Sequence, residues 1–244
     1  YVEPVSSDAG TAIGAAYYYH KRLVGDTEVM PRDNNLYLGP EHNISDNNVN
    51  ELVTEYSATI ADATHQDIID LITSKNIVAV FQGRAENGPR ALGNRSILYD
   101  PTDPNGKDFV NQVKRREYFR PFAGSILEED VHEWFDLRGM ESSPTMMYAV
   151  NCQPGIEEKI PAIIHVDGTC RIQTVNREQN PHYYDLIKTF KDKTGCPIIF
   201  NTSFNLGGEP LVETLKDAFW TLDQSNIEYL YLTELGKLVK IAND

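Results

Sequence analysis

Apolar positions in this chain recur with two periods. Val49, Leu52, Val53 and Tyr56 follow the i, i+3, i+4, i+7 spacing of one buried helix face, and Ile68, Ile69, Leu71 and Ile72 mark a second helix. The run 77–81 (IVAVF) is short, apolar and β-branched, as a buried strand requires. Similar runs predict strands at 96–98, 122–127, 146–151, 171–175, 197–200 and 227–232, with helices at 105–114, 128–135, 181–193 and 214–224. Strands and helices alternate, with some strands consecutive, so the pattern predicts a mixed α/β domain. Upstream, Ser6, Ser7 and Asp8 are cap-type residues ahead of Ala12, Ile13, Ala15 and Ala16, which predicts a helix over 7–22. Periodicity is then lost over 23–43, where Gly25, Pro31, Asn34, Asn35, Gly39 and Pro40 cluster. The expected organisation is a helical remnant at 1–22, a linker at 23–40 and one domain at 41–244. Because the chain opens at Tyr1 directly into an element-like segment, a preceding domain is expected.

Composition narrows the class. The chain has 244 residues, 41% of them hydrophobic, and no apolar run approaches the roughly 20 residues of a membrane helix. Cys152, Cys170 and Cys196 are few and far apart, which fits neither zinc nor a disulfide framework, so buried thiols in a reducing cytoplasm are expected. The net charge of −14 argues against nucleic acid as a partner. Residues 81–122 are the exception: eight basic and five acidic side chains give +3, leaving −17 elsewhere. A basic island in an acidic chain points to a small anionic ligand rather than a polymer.

Four segments carry candidate chemistry. FQGRAENGPRALGNRSIL (81–98) leaves a buried strand with three glycines and with Arg84, Arg90, Asn94 and Arg95 as candidate anion ligands. Glycine lets backbone N–H groups approach an anion, and arginine offers a planar fork to paired oxygens. In VKRREYFRPFAGSIL (113–127), Lys114 and Arg120 are too far apart for one helix face, but converge if the helix ends near Glu117 and the chain turns at 119–121. Phe119, Pro121 and Phe122 are expected to be buried around them. HVDGTCRIQTV (165–175) places Arg171 at the start of a strand behind a turn. PIIFNTSFNLGGEP (197–210) sets Asn201, Thr202, Ser203 and Asn205 just past a strand end, where ligand crevices form. The competing reading of each segment is a solvated turn that satisfies its own backbone.

Taken together, these segments resemble the C-terminal domain of the O-carbamoyltransferases of the NodU/CmcH type. The resemblance rests on GR-x-E-x-GPRALGNRSIL at 83–98, VK-x-RE-x-FRPFA at 113–123, HVDGT-x-R-x-QTV at 165–175 and NTSFN-x-x-GEP at 201–210. It implies a YrdC-like twisted sheet with flanking helices and a basic cleft. The helix at 7–22 would then be the last helix of an actin-like, metal-binding N-terminal domain. Asn87, Gly124 and Gly207 depart from the pattern, where a larger residue, a proline and an arginine are usual.

The resemblance implies that carbamoyl phosphate is cleaved to carbamate, which attacks ATP to give carbamoyl-adenylate and pyrophosphate. The carbamoyl group then passes to a hydroxyl of a small acceptor in the N-terminal domain. Lys114, Arg120 and Arg171 are the expected catalytic cations, and Arg84, Arg90, Asn94, Arg95, Asn201, Thr202, Ser203 and Asn205 the expected ATP and carbamoyl phosphate ligands. Mg²⁺ would accompany ATP. Asp8 would join upstream histidines around Fe²⁺ or a similar divalent metal. The partners expected are these small molecules and the chain's own N-terminal domain, with no nucleic acid and no membrane; a homodimer stays open. The rival functions are a threonylcarbamoyl-adenylate synthase for tRNA modification and a non-catalytic RNA-binding module.

Overall fold

The computed structural model describes residues 4–5, 8–25, 35–42 and 44–242. In chain order the elements are α1 (Asp8–Val24), α2 (Asp46–Glu55), β1 (Thr59–Asp62), α3 (His65–Thr73), β2 (Val78–Phe81), β3 (Arg95–Tyr99), α4 (Gly106–Val113), β4 (Ala123–Leu127), α5 (Val131–Trp134), β5 (Phe135–Asp136), β6 (Ala149–Cys152), β7 (Thr169–Val175), α6 (Pro181–Thr194), β8 (Ile198–Ser203), α7 (Leu215–Asp223), β9 (Tyr229–Leu232) and β10 (Lys237–Lys240). The strands form one sheet in the order β1-β10-β9-β2-β3-β8-β4-β7-β6-β5. Pairing is parallel between β2 and β9 and between β4 and β7, and antiparallel elsewhere.

Local chemistry explains where the helices start and stop. Thr64 with Asp67, and Thr214 with Asp217, close reciprocal capping boxes on α3 and α7. Asn180 caps α6, Pro181 follows at its first turn, and Gly195 ends it at φ 76°. Every residue of β2, β3 and β4 is buried, so the centre of the sheet is covered on both faces. Helices α3 and α6 pack together over this centre, while α2 and α7 pack together beside β9.

The predicted elements are present, with differences that matter. The run expected as one helix at 128–135 is a 3₁₀ turn, then α5, then the two-residue β5. Strand β8 runs on through Ser203, so Asn201 and Thr202 are ladder residues and not loop residues. β1 and β10 were not anticipated. The stretch expected to act as a linker to residue 40 is tied down at its end: Gly39 N donates to Ala85 O (2.9 Å), Asn87 N donates to Leu36 O (2.6 Å), and the Tyr37 hydroxyl donates to Leu92 O (2.9 Å). Ser6, Ser7 and residues 26–34 lie outside the described residues. Helix α1 is mostly exposed, including Tyr17, Tyr18, Tyr19, Leu23 and Val24. A small apolar cluster in which Val5 and Ile13 meet Leu36, Leu92, Ala123 and Met146 joins this end of the chain to the rest.

No helix among the described residues is long and apolar enough to cross a membrane. Cys170 and Cys196 are buried free thiols and Cys152 is half-buried.

Candidate functional site

The register of the central strands brings three chemical segments to one end of the sheet. Asn201 of β8 stands opposite Ala123 at the start of β4, Ala123 stands opposite Arg171 of β7, and Ser203 faces Ser96 at the start of β3. The loop between β2 and β3, residues 82–94, closes over the same end. A cavity of about 810 Å³ opens there. Its walls carry Arg90 from the loop, Lys114, Arg115, Arg116 and Arg120 from the segment after α4, Arg171 from β7, and Asn201, Thr202, Ser203 and Asn205 from β8 and its exit. Among the lining residues Glu117 is the sole carboxylate beside six cationic side chains.

A buried carboxylate that sequence reasoning did not single out shapes the loop. Oε1 of Glu86 accepts from the backbone N–H groups of Leu92 (2.7 Å), Asn94 (2.8 Å) and Arg95 (3.3 Å). Burial pushes its pKa up, against the pull of these donors. Gly93 takes φ 116°, and a Cβ there would lie 2.3 Å from the Tyr183 ring, so the loop's last turn requires glycine. A polar network fastens the loop to the sheet. Asn201 Nδ2 donates to Ala91 O (3.1 Å) and Ser125 Oγ (2.9 Å), Ser125 Oγ donates to Gln173 Oε1 (2.8 Å), and Gln173 Nε2 donates to Leu92 O (2.9 Å). Ser125 and Gln173 were also missed; their signal is a lone polar residue at a buried position in FAGSIL and RIQTV.

Arg90 and Arg171 are the cations least satisfied by the protein. The Nε of each is buried without a hydrogen-bond partner, and neither forms an ion pair among the described residues. Burial lowers the pKa of Arg90. Burial, and then the charge of Arg90, lower that of Arg171 to about 10. Two like charges brought together and partly withdrawn from water, without a counter-ion, form a site that gains from an anion.

The segment after α4 is built by a helix stop. Lys114 caps the helix, and Arg115 takes a left-handed φ of 53°, a strained conformation for a non-glycine residue that turns the chain along the cavity. Lys114 is buried. Its Nζ donates to Ser203 O, to Asn205 O (2.7 Å) and to Asn205 Oδ1 (3.0 Å), while its own carbonyl accepts from Gly207 N (2.7 Å). Burial, then the charge of Arg116, pull its pKa well below the ordinary lysine value. At Gly207, where the family pattern usually has arginine, the chain runs so close that a Cβ would lie 2.8 Å from Arg115 O, so a side chain here would require the two turns to move apart. Arg116 donates to Asn111 Oδ1 (2.6 Å) and lies over the Phe122 ring at 4.3 Å. Arg120 does reach the cavity, paired with Glu117 at 2.7 Å. Phe122 is buried as expected, but Phe119 and Pro121 are exposed, because the turn carrying them projects outward instead of entering the core.

Other expected ligands sit elsewhere. Arg95 turns inward rather than projecting from the loop. It is fully buried 3.6 Å above the Phe81 ring and donates to Gln82 O (2.6 Å), Asn94 O (3.0 Å), Gly83 O (3.1 Å) and Glu213 O (3.3 Å), so it staples the loop and is closed to a ligand. Arg84 donates to Gly39 O (2.7 Å), and with Asn94 it lines a second, smaller pocket of about 260 Å³. Asp8 is the first residue of α1, and its side chain lies outside the described residues. Among the described residues no three His, Cys, Asp or Glu side chains converge as a metal site requires, so these residues do not by themselves fit the implied divalent metal.

Comparison with known proteins places this geometry in a family. The sequence matches the domain described as "Carbamoyltransferase C-terminus" over residues 69–237. It is 40% identical over 237 residues to nodulation protein NolO of Bradyrhizobium diazoefficiens, covering 94% of this chain and 43% of that protein. It is 34% identical over 208 residues to nodulation protein U of Rhizobium tropici, covering 85% and 34%. The chain thus spans less than half the length of these curated relatives. Among solved structures it is similar to full-length HypF in a phosphate- and nucleotide-bound form, with a TM-score of 0.53 and 16% identity over 73% of this chain and 25% of that one. That likeness concerns the fold alone, and the YrdC-like mixed α/β architecture implied by the motifs is the one observed. With the family's domain matched over most of its length, the chain belongs to the carbamoyltransferase family and carries that family's C-terminal domain.

Proposed function

We propose that the cavity binds carbamoyl phosphate and ATP and forms carbamoyl-adenylate. Arg90 and Arg171, half-buried on one wall with buried, unpartnered Nε atoms, carry this reading. Water first cleaves carbamoyl phosphate to carbamate and phosphate. A carbamate oxygen then attacks the α-phosphorus of ATP, the bond to the β-phosphate breaks, and pyrophosphate leaves. Two polyanions in one cavity repel, and the cations of its wall offset that repulsion. Asn201, in the lining of this wall, holds a buried Oδ1 without a partner, an unmet acceptor for the carbamoyl NH₂. Mg²⁺ enters with ATP. The hydroxyl acceptor and its metal belong to a preceding domain that lies mostly in the part of the longer relatives that this chain does not span, and α1, with its exposed tyrosines, is the last helix of that domain.

The test is to incubate the chain with ATP and ¹³C-carbamoyl phosphate and follow products by mass spectrometry. A labelled carbamoyl-adenylate that needs both substrates and is lost in Arg171→Ala is expected. ATP and carbamoyl phosphate left intact by a chain that binds both would overturn the reading.

A further inference from the structure

We infer that Glu117 is a built-in counter-ion that holds Arg120 back until a polyanion displaces it, which makes Glu117 a positioning residue that sets the strength of phosphate binding. This rests on the anion-binding reading of the cavity. Glu117 is the sole carboxylate among the lining residues, facing six cations, yet it pairs with one of them at 2.7 Å through an i, i+3 contact. Both partners are about half exposed, so neither is fixed by burial. The turn that carries them is held from below and loose above. Asn111 Nδ2 donates to Tyr118 O (3.2 Å) and Arg120 O (3.1 Å), and Arg120 N donates to Glu117 O (3.1 Å). The tip residues Tyr118 and Phe119 are 75% and 64% exposed and meet edge to face, with ring centres 6.1 Å apart. Few apolar contacts therefore resist a change of side-chain partner at this turn.

The electrostatics favour an exchange. A single carboxylate offers one negative charge to Arg120, whereas a diphosphate or triphosphate offers several and also reaches Arg90 and Arg171. When the polyanion arrives it meets the Glu117 charge at the same wall, so the carboxylate swings out and the Arg120 fork closes on phosphate. In return, Glu117 recaptures Arg120 as pyrophosphate leaves. The carboxylate thus weakens product retention in a cavity whose charge would otherwise hold it.

Pyrophosphate titrated into the chain by calorimetry, with Mg²⁺ and with EDTA, tests this. Glu117→Gln should bind pyrophosphate about three- to tenfold tighter than wild type in both conditions, with the gain shrinking as salt rises. In an Arg120→Ala background the same substitution should give a clearly smaller gain, because the released partner is gone. Thermal melts should be unchanged, as both residues are exposed. Binding to Glu117→Gln that is unchanged, or weaker with Mg²⁺ alone, overturns the counter-ion role; the second outcome would make Glu117 a Mg²⁺ ligand. Wild-type chain that fails to bind pyrophosphate, or binds it equally without Arg90 and Arg171, takes down the anion-site reading and this inference with it.

Discussion

At the scale of single residues, the cations divide by what already satisfies them. A buried Nε without a partner is common to Arg90, Arg95 and Arg171, but the Arg95 fork meets four backbone carbonyls and an aromatic ring, and Lys114 ties the end of β8 to the end of α4, whereas Arg90 and Arg171 have no comparable set of protein acceptors. The expected mutational outcomes follow. Arg95→Ala removes a buried donor set and lowers the melting temperature strongly, by about 2–4 °C per kcal/mol lost in a chain of this size. Lys114→Ala loosens the 203–207 turn and lowers both melting temperature and adenylate formation. Arg90→Ala and Arg120→Ala leave the melt within a degree or two of wild type and weaken phosphate binding at least about tenfold, since a charged hydrogen bond contributes roughly 1.5–3 kcal/mol. Melts run beside pyrophosphate titrations separate the classes, and an Arg95→Ala chain that melts like wild type contradicts the division. From the sequence, all these residues looked alike. Arginine projecting from a glycine-rich loop and arginine folded beneath it share the same letters, and the ring of Phe81, which decides between them, is fourteen positions from Arg95.

At the scale of elements, the loop between β2 and β3 behaves as one unit fastened by Glu86. Burial holds the Glu86 carboxyl above the usual carboxylate range, so its contribution is fully present below its unfolded value and is lost as pH rises through the folded one. Glu86→Gln should therefore flatten the pH dependence of the melt on the alkaline side of the ordinary carboxylate range while keeping an oxygen for the Leu92, Asn94 and Arg95 N–H groups. Glu86→Ala leaves those donors unpaired and should melt lower at every pH, by about 1–3 kcal/mol per buried group left unmet. A wild-type and a Glu86→Gln melt with identical pH profiles would contradict this account. The elements themselves were largely legible, because runs such as IVAVF and the α3 face announce themselves by period. β1 and β10 were not: they pair at the sheet edge, where exposed polar residues replace the apolar run, as in TIAD and KLVK. The helix expected at 128–135 broke because Phe135 is drawn into pairing with Cys152.

At the scale of the whole molecule, an acidic chain gathers its basic island at one end of a ten-stranded sheet and turns six cations into one cavity. The motifs announced which segments would meet, though not which residue of each faces inward, since that depends on a register fixed by pairs such as Ala123 with Arg171 and Asn201. The central claim is that this cavity joins carbamate to the α-phosphate of ATP reversibly. It is tested most directly by pyrophosphate–ATP exchange: the chain, ATP, labelled pyrophosphate and Mg²⁺, with and without carbamoyl phosphate. The result expected is label entering ATP only when carbamoyl phosphate is present, and not in Arg171→Ala. Binding of all three compounds with no carbamoyl phosphate-dependent exchange would contradict it.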